Sequence, residues 1–359
     1  MSSMVSLPKI PPLRRGRMKM TSKQSNSERD PALDFTKGAL VLIMVFYHWI
    51  NYFIGPQWPY YFYMRFLTPS FIFITGFMIS HVYLAKYDAA DPRLPIRLFV
   101  RGLKLMAIFM VLNVARMFIV PVLHTGAIVE NPLDVGNIFT VFVSGNLSVV
   151  SGKLVSFSIL VPISYLLMFS GALMLAYRFF GYTFHVVCAI LLLTSFGLEL
   201  IGMQSQNLEF ITIGMLGVVT GFMPTAAISD FVRHPYKLAF VYACYTIVIT
   251  IWNVPFALLI VGVLLSLMVI YRVGISGGGF GAIRNEVSLL GKYSLFGYIS
   301  QIAILQILSA SSHHLNLRVA VLVISFIAAF VLTIASVNLV DRARARQAKV
   351  DRLYKAVFA

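Results

Sequence analysis

The chain has 359 residues, of which 59% are hydrophobic and only 12% are charged. Soluble domains carry about 25% charged residues, so this composition excludes a soluble globular protein and predicts an integral membrane protein. The formal net charge is +16, and about half of the Lys and Arg residues lie near the two ends of the chain. In a protein with several membrane spans, this excess indicates which ends stay in the cytoplasm rather than nucleic-acid binding.

Ten apolar runs have a length suited to crossing a bilayer as helices. They lie at residues 38–54, 67–85, 102–121, 156–178, 183–201, 208–224, 237–252, 255–271, 288–309 and 317–340. The sequence therefore predicts an all-α fold, a polytopic membrane bundle of about ten transmembrane helices. Residues 1–30 are predicted to form a flexible basic tail without the apolar core of a signal peptide, residues 31–340 the transmembrane domain, and residues 341–359 a basic C-terminal tail.

Charge in the loops predicts the orientation of the bundle. If the N-terminus is cytoplasmic, the inner loops and the C-terminal tail hold nearly all of the loop Lys and Arg residues. The outer loops keep little more than Arg65, Lys153 and Arg318. The positive-inside rule therefore predicts that both termini are cytoplasmic. The longest outer connection, residues 122–155, contains an interrupted apolar stretch that we interpret as a re-entrant or interfacial segment.

The first span contains the most unusual residues for a membrane helix. Lys37 lies at its entrance and His48 lies deep inside, and a separation near three helical turns places both on one face, roughly 16 Å apart along the axis. A histidine at this depth either hydrogen-bonds a neighbouring helix or acts as a general base in a cavity, and the cost of burying it favours the second. Asn51 and Tyr52, one turn further on, either orient the imidazole or contact a substrate.

Asp34 and Lys37 have the i,i+3 spacing of an ion pair on a helix surface. Asp34 also suits the positive end of the helix dipole. From the residues alone, an interfacial ion pair and a role in a functional site are equally good interpretations.

A basic cluster begins the third span. Arg97, Arg101 and Lys104 are about one turn apart and either follow from the positive-inside rule or bind the phosphates of a cytoplasmic ligand. Arg116 lies deeper in the same span, where an arginine needs a partner or a water-filled cavity. It is therefore a candidate for a site or a buried polar network.

The remaining candidates lie in the second half of the chain. Tyr298 and Gln301 lie in the ninth predicted span, and an amide within hydrocarbon favours a position facing the bundle interior. Glu199, near the outer end of the fifth span, is a weaker candidate for lining an outer cavity. The adjacent His313 and His314 have no third ligand in view, so no metal site is predicted.

The stretch Leu33-Asp34-Phe-Thr-Lys37-Gly38, followed by an apolar run to Tyr47-His48, resembles the first span of the acyltransferase-3 family of membrane acyltransferases. That family has a Leu-Asp-x-x-Arg-Gly entrance and an apolar run that ends in Tyr/Leu-His, with ten residues between the basic residue and the histidine, as here. Residues 69–77 resemble its Phe-Phe-x-x-Ser-Gly-Phe segment, residues 97–104 its Arg-rich third span, and residues 291–301 its late Gly-x-x-Ser-x-x-x-Tyr-x-x-His segment.

Two positions depart from the family pattern. Lys37 replaces the usual arginine, which keeps the charge but loses bidentate geometry. Gln301 stands where many members have a second histidine. The opening at residues 29–34 is similar to the glucan succinyltransferase (OpgC-type) branch of the family.

The resemblance implies an enzyme of the bacterial inner membrane that moves an acyl group, succinyl or acetyl, from cytoplasmic acyl-CoA to a hydroxyl of an extracytoplasmic glycan. It implies His48 as general base, with Lys37 and Asp34 at the catalytic helix entrance. The cluster of Arg97, Arg101 and Lys104 would then hold the CoA phosphates, and Asn51, Tyr52, Arg116, Tyr298 and Gln301 would line the substrate cavity.

Several alternatives stay open at this point. Acyl transfer is either direct or passes through an acyl-enzyme. The buried polar residues His48, Arg116 and Gln301 would equally serve a secondary transporter. A third possibility is a helical scaffold that binds partners through its basic tails, and a homo-oligomer is compatible with each of the three.

Overall fold

The computed structural model describes residues 30–55, 62–84, 87, 91–123, 138–145, 155–223, 232, 234–252, 254–276, 281–312 and 318–358. Regular structure within these residues is helical, without strands. The predicted N-terminal tail at residues 1–29 lies outside the described residues, as do His313 and His314 and much of the predicted outer connection.

Twelve α-helices are described, two of which end in π-helical turns. They are α1 (Pro31–Trp49), α2 (Leu67–Met78), α3 (Arg93–Leu123), α4 (Leu160–Tyr177), α5 (Thr183–Leu200), α6 (Gln206–Thr220), α7 (Pro235–Ile251), α8 (Phe256–Ile275), α9 (Gly281–Lys292), α10 (Ser294–Ser312), α11 (Arg318–Arg346) and α12 (Ala348–Phe358). The π-helical turns are Ile50–Ile54 after α1, Ile79–Leu84 after α2, and Thr140–Ser144 in the predicted outer connection.

Eight of the described helices are long and apolar enough to cross a membrane, and they coincide with eight of the ten predicted spans. The all-helical membrane architecture is thereby confirmed. The other two predicted spans coincide with α6, of 15 residues, and α7, of 17 residues. The ninth predicted span begins later than expected, because a break at Tyr293 separates the amphipathic helix α9 from the apolar helix α10. The crossing count of ten stays a prediction.

Helices α3 and α4 run antiparallel and approach closely through glycine. Gly102 of α3 packs against Ser164 of α4, and Gly171 further along α4 packs against Pro95 near the start of α3. A Cβ atom on Gly171 would lie 2.8 Å from the Pro95 carbonyl oxygen. Small residues at such crossings let backbones touch, which strengthens van der Waals packing where lipid offers no hydrophobic driving force.

A second glycine crossing joins α2 to α6. A Cβ atom on Gly76 would overlap the carbonyl oxygen of Gly214, and one on Gly217 would overlap the carbonyl oxygen of Phe73. Ser80, in the π-helical turn after α2, extends this contact because its hydroxyl donates to the Val218 carbonyl oxygen over 2.7 Å. These contacts fix the second half of α6 against α2.

The two ends of the bundle differ in charge. The basic end is the one at which α1 and α3 begin and α11 ends, and it carries Lys37, Arg101 and Arg344. The far end is the opposite one, at which the π-helical turn Ile50–Ile54 meets Arg116 of α3. Which end faces the cytoplasm is a prediction from loop charge alone.

Candidate functional site

The helix that carries His48 begins at a well-formed cap. The Asp30 carboxylate accepts hydrogen bonds from the backbone N–H groups of Ala32 and Leu33, at 2.9 and 3.3 Å. Pro31 follows at the first helical position, where its missing N–H costs nothing. The Tyr271 hydroxyl of α8 donates to the second Asp30 oxygen at 3.1 Å. The start of α1 is thus fixed to α8.

Asp34 and Lys37 form the ion pair that their spacing predicts. The Lys37 Nζ lies 2.5 Å from the Asp34 Oδ1, and their side chains are only 14% and 12% exposed. The pair lies beside the contact between α1 and α9, where Gly291 packs on the Asp34 carbonyl oxygen. A buried charge pair with good geometry holds both side chains in place. Lys37 therefore has a defined position at the entrance of the first span.

α1 is continuous from Pro31 to Trp49. The same-face arrangement of Lys37 and His48 therefore holds along an unbroken helix. His48 is half-buried in the last turn and lies edge-on to the Tyr47 ring, with centroids 5.2 Å apart. The π-helical turn Ile50–Ile54 follows at once. Such turns re-aim side chains and are frequent at functional sites.

The π-helical turn presents Tyr52 to a polar cluster at the far end. The Tyr52 hydroxyl accepts a hydrogen bond from the Gln306 Nε2 of α10 at 3.3 Å. Tyr52 also interacts electrostatically with Arg116 of α3 and with Tyr298 of α10. Three of the predicted cavity residues, Tyr52, Arg116 and Tyr298, are therefore brought together from three helices. Asn51 lies half-buried in the same turn.

A strained residue supports Tyr298 from the side. Phe157 has a φ of +62°, which is an outlier for a bulky residue, and its ring lies edge-on to that of Tyr298 with centroids 6.0 Å apart. Asn113 of α3 fixes the preceding residue: its Oδ1 accepts from the Ser156 N–H at 2.9 Å and its Nδ2 donates to the Ser156 carbonyl oxygen at 3.0 Å. Backbone clamping at Ser156 thereby holds the Phe157 ring against the cluster.

The helix register places His48 close to the depth of this cluster. Gly297 of α10 packs near Val41 of α1, and Gln306 of α10 bonds Tyr52 of α1. The two helices therefore run in the same direction. His48, which lies between Val41 and Tyr52, falls at the level of the α10 segment between Tyr298 and Gln306.

Gln301 lies in the same α10 segment and is fully buried. Its exposed fraction is 0%, and neither of its side-chain amide atoms has a hydrogen-bond partner among the described residues. An amide buried without partners is costly, so it needs a compensating group such as a water molecule or a ligand. Gln301 is the described polar side chain that most clearly lacks a structural role.

The basic cluster at the start of α3 is held by tyrosines that follow α2. The Arg101 guanidinium donates to the Tyr83 hydroxyl and also interacts electrostatically with Tyr354 of α12. The Arg97 guanidinium lies over the Tyr87 ring, 4.8 Å from its centroid, and its side chain is exposed. Lys104 is half-buried one turn after Arg101. The predicted phosphate-binding residues therefore share the basic end with Lys37, but two of them already contact aromatic rings.

A network that the sequence did not predict completes the basic end. The Tyr293 hydroxyl donates to Asp341 at 2.6 Å and accepts from Arg344 at 3.0 Å. Arg344 then donates to Asp351 of α12 at 2.6 and 2.9 Å. Burial is the main reason that the pKa of Tyr293 rises to about 12, and the bonds from Lys355 and Arg344 lower the pKa of Asp351. The network fastens α12 to the bundle.

Glu199, the weaker candidate for lining an outer cavity, connects α5 to the start of α8. Its Oε1 accepts a hydrogen bond from the Phe256 backbone N–H at 2.9 Å, so it satisfies a free donor at the start of α8. Within the described part of the chain, no group of three or more His, Cys, Asp or Glu residues has the arrangement of a metal site.

The chain was compared with protein-family models, with curated proteins and with solved structures, and none of the three gave a match. The site is therefore interpreted from its own geometry. It has a basic end with a buried ion pair and an arginine cluster, and a far end with a polar cluster. A single helix, α1, connects the two.

Proposed function

We propose that the protein is a membrane O-acyltransferase that takes an acyl group from acyl-CoA at the basic end and passes it to a hydroxyl group of a glycan at the far end. The observation that carries the proposal is the path of α1. This one helix bears Lys37 at the basic end and His48 at depth, and its π-helical extension places Tyr52 within the far-end cluster. The motif resemblance of the same helix supplies the reaction class.

In this proposal the donor binds where the cationic side chains converge. Lys37, Arg101 and Lys104 attract the phosphate groups of CoA, and charge-assisted hydrogen bonds to phosphate are stronger than neutral ones. The pantetheine arm then extends along α1 toward His48. The distance of roughly 16 Å between Lys37 and His48 along the axis is one that an extended thioester arm can cover.

His48 acts as the general base at the acceptor. It takes the proton of the glycan hydroxyl while that oxygen attacks the thioester carbonyl carbon, the C–S bond breaks, and CoA leaves as the thiolate, which recovers the proton. Arg116, Tyr298 and Gln301 are the groups that would bind the acceptor or the developing oxyanion. Succinyl and acetyl groups are the proposed acyl groups.

The activity is tested with purified protein in proteoliposomes and acetyl-CoA or succinyl-CoA radiolabelled in the acyl group. The proposal predicts release of free CoA that depends on the protein, with the label moving to an added glucan acceptor. A protein that carries label across the bilayer without consuming acyl-CoA would be a transporter, and that result would contradict the proposal. Full recovery of intact acyl-CoA with both donors in the presence of acceptor would contradict it as well.

A further inference from the structure

The last described helix, α12, directly follows α11 in the chain. Gln347 alone separates it from α11, whose apolar stretch is long enough to cross a bilayer. α12 does not extend into solvent, because it folds back onto the basic end. Arg344 lies over the Tyr354 ring at 4.2 Å, and the Phe358 ring lies edge-on to Phe296 with centroids 5.9 Å apart.

Only one side of α12 is covered by these contacts. No side chain of the helix is fully buried. Leu353 is 66% exposed and Val357 is 38% exposed, and their i,i+4 spacing places them in one row. Lys349 begins the same row four residues earlier, and Arg352 lies in the adjacent row. We call these four residues the outer edge of α12.

The outer edge combines apolar and basic side chains in the pattern of an interfacial helix. Such helices bury their apolar residues at the boundary of headgroups and acyl chains, with Lys and Arg at the polar side. Arg342 and Arg346, both exposed at the end of α11, add positive charge nearby. Asp351 does not oppose this charge, because Arg344 and Lys355 already pair with it.

We propose that the outer edge of α12 is a binding surface for the anionic phospholipid headgroups of the leaflet at the basic end. Leu353 and Val357 enter the headgroup region, and Lys349 and Arg352 contact lipid phosphates. Position and charge select this partner. The helix directly follows a membrane span, and its basic edge would repel the same edge of a second copy. The inference does not depend on the acyltransferase proposal.

The test uses the full chain with one nitroxide label in nanodiscs, in a Cys244→Ser background because Cys244 is exposed and Cys188 is buried. A label at Leu353→Cys reports on the outer edge. A matched label at Ala348→Cys, an exposed position about 140° around the helix from Leu353, reports on the side away from the apolar row. Collision rates with oxygen and with a water-soluble nickel complex measure the depth of each label.

In bilayers that contain phosphatidylglycerol, the Leu353 label should be accessible to oxygen and shielded from nickel, and the Ala348 label should stay accessible to nickel. Each basic residue near an anionic surface shifts the equilibrium between inserted and aqueous states about five-fold. Lys349→Gln with Arg352→Gln should therefore shift insertion about 25-fold toward the aqueous state. An unchanged line shape of the Ala348 label verifies that α12 stays docked in that variant.

Two results would overturn the proposal. One is a Leu353 label that is as accessible to nickel as the Ala348 label in anionic bilayers. The other is equal insertion in pure phosphatidylcholine and in the anionic mixture, because the surface would then not select anionic headgroups. Spin coupling between two Leu353 labels in nanodiscs that hold two copies would identify a second copy as the partner and overturn it as well.

Discussion

Gly38 of α1 and Gly291 of α9 face each other without room for a side chain at either position. A Cβ atom on Gly38 would overlap the Val287 carbonyl oxygen, and one on Gly291 would overlap the Asp34 carbonyl oxygen. The obstacles are backbone atoms, which cannot rotate away. This crossing therefore sets the position of the Asp34 backbone, one turn before Gly38, and with it the entrance of the first span.

Replacing Gly291 by alanine should destabilise the protein. Overpacking costs about 1–3 kcal/mol, so the apparent Tm of Gly291→Ala in detergent should fall below that of the wild type. The matched control is Gly197→Ala in α5, where a Cβ atom would meet nothing within 4 Å. That variant should hold or raise the Tm, because alanine is favoured over glycine within a helix by roughly 0.5–1 kcal/mol. Equal Tm values for the two variants would refute the close crossing.

Asn113→Ala should destabilise the far end of the bundle. The substitution removes the two hydrogen bonds to Ser156 and a third from the Nδ2 to the Phe109 carbonyl oxygen at 3.0 Å. It leaves buried backbone groups unpaired, at about 1–3 kcal/mol, and a thermal melt in detergent measures the loss. Asn338→Ala is the control, because that amide lies in a more exposed environment and bonds Glu286. A smaller Tm decrease for Asn113→Ala than for Asn338→Ala would contradict a stabilising role of the hydrogen bonds between Asn113 and Ser156.

Docking of α12 should weaken at alkaline pH through Tyr293. The folded pKa of Tyr293 is about 12, above its ordinary value of 10.0, so its contribution to docking is complete below about pH 10 and is lost as the pH rises toward 12. The line shape of a nitroxide at Ala356→Cys should therefore become more mobile across this range.

The phenylalanine in Tyr293→Phe has no ionisable group. A nitroxide at Ala356→Cys in that variant should therefore lack the alkaline transition. This label should also be more mobile at neutral pH, because the bonds to Asp341 and Arg344 are gone. Tyr354→Phe keeps Tyr293 and should retain the transition. An identical transition in Tyr293→Phe would assign the pH dependence to another group.

Arg101→Ala should raise the KM for acyl-CoA more than it lowers kcat. A lost charge-assisted hydrogen bond costs about 1.5–3 kcal/mol, which is roughly a ten- to hundredfold change in affinity. Tyr83→Phe is the matched control, because it removes the structural partner of Arg101 and keeps the guanidinium. If Tyr83→Phe raises the KM as much as Arg101→Ala does, Arg101 acts through packing. An unchanged KM in Arg101→Ala would exclude it from the donor site.

The apolar helices were predictable from the sequence because a bilayer imposes their length and composition. The Asp34–Lys37 pair was predictable as well, because an i,i+3 contact depends only on the local helix. The amphipathic helices α9 and α12 were not predicted, because a bilayer does not impose their length and composition. Each is stabilised by contacts with other elements, such as Gly291 against Asp34 and Tyr354 against Arg344, and a search for apolar runs does not detect them.

The sequence could not predict which residues contact each other within the candidate site. Tyr52 and Gln306 are 254 positions apart, and Asn113 and Ser156 are 43 apart, so no local spacing relates them. The π-helical turn after Trp49 has no distinctive composition, although it determines where Tyr52 points. Glu199 accepts from the N–H of Phe256, 57 positions further along the chain, and no local spacing predicts that contact.

The proposed function of His48 as the general base of acyl transfer is tested most directly with His48→Ala. The initial rate of acyl-CoA consumption is measured with purified protein and a glucan acceptor. His185→Ala is the control, since that histidine is exposed on α5 and stacks on Phe222. Loss of a general base should lower the rate roughly 10²–10⁴-fold, and His185→Ala should keep the wild-type rate. A folded His48→Ala protein that consumes acyl-CoA at the wild-type rate would exclude His48 as the general base.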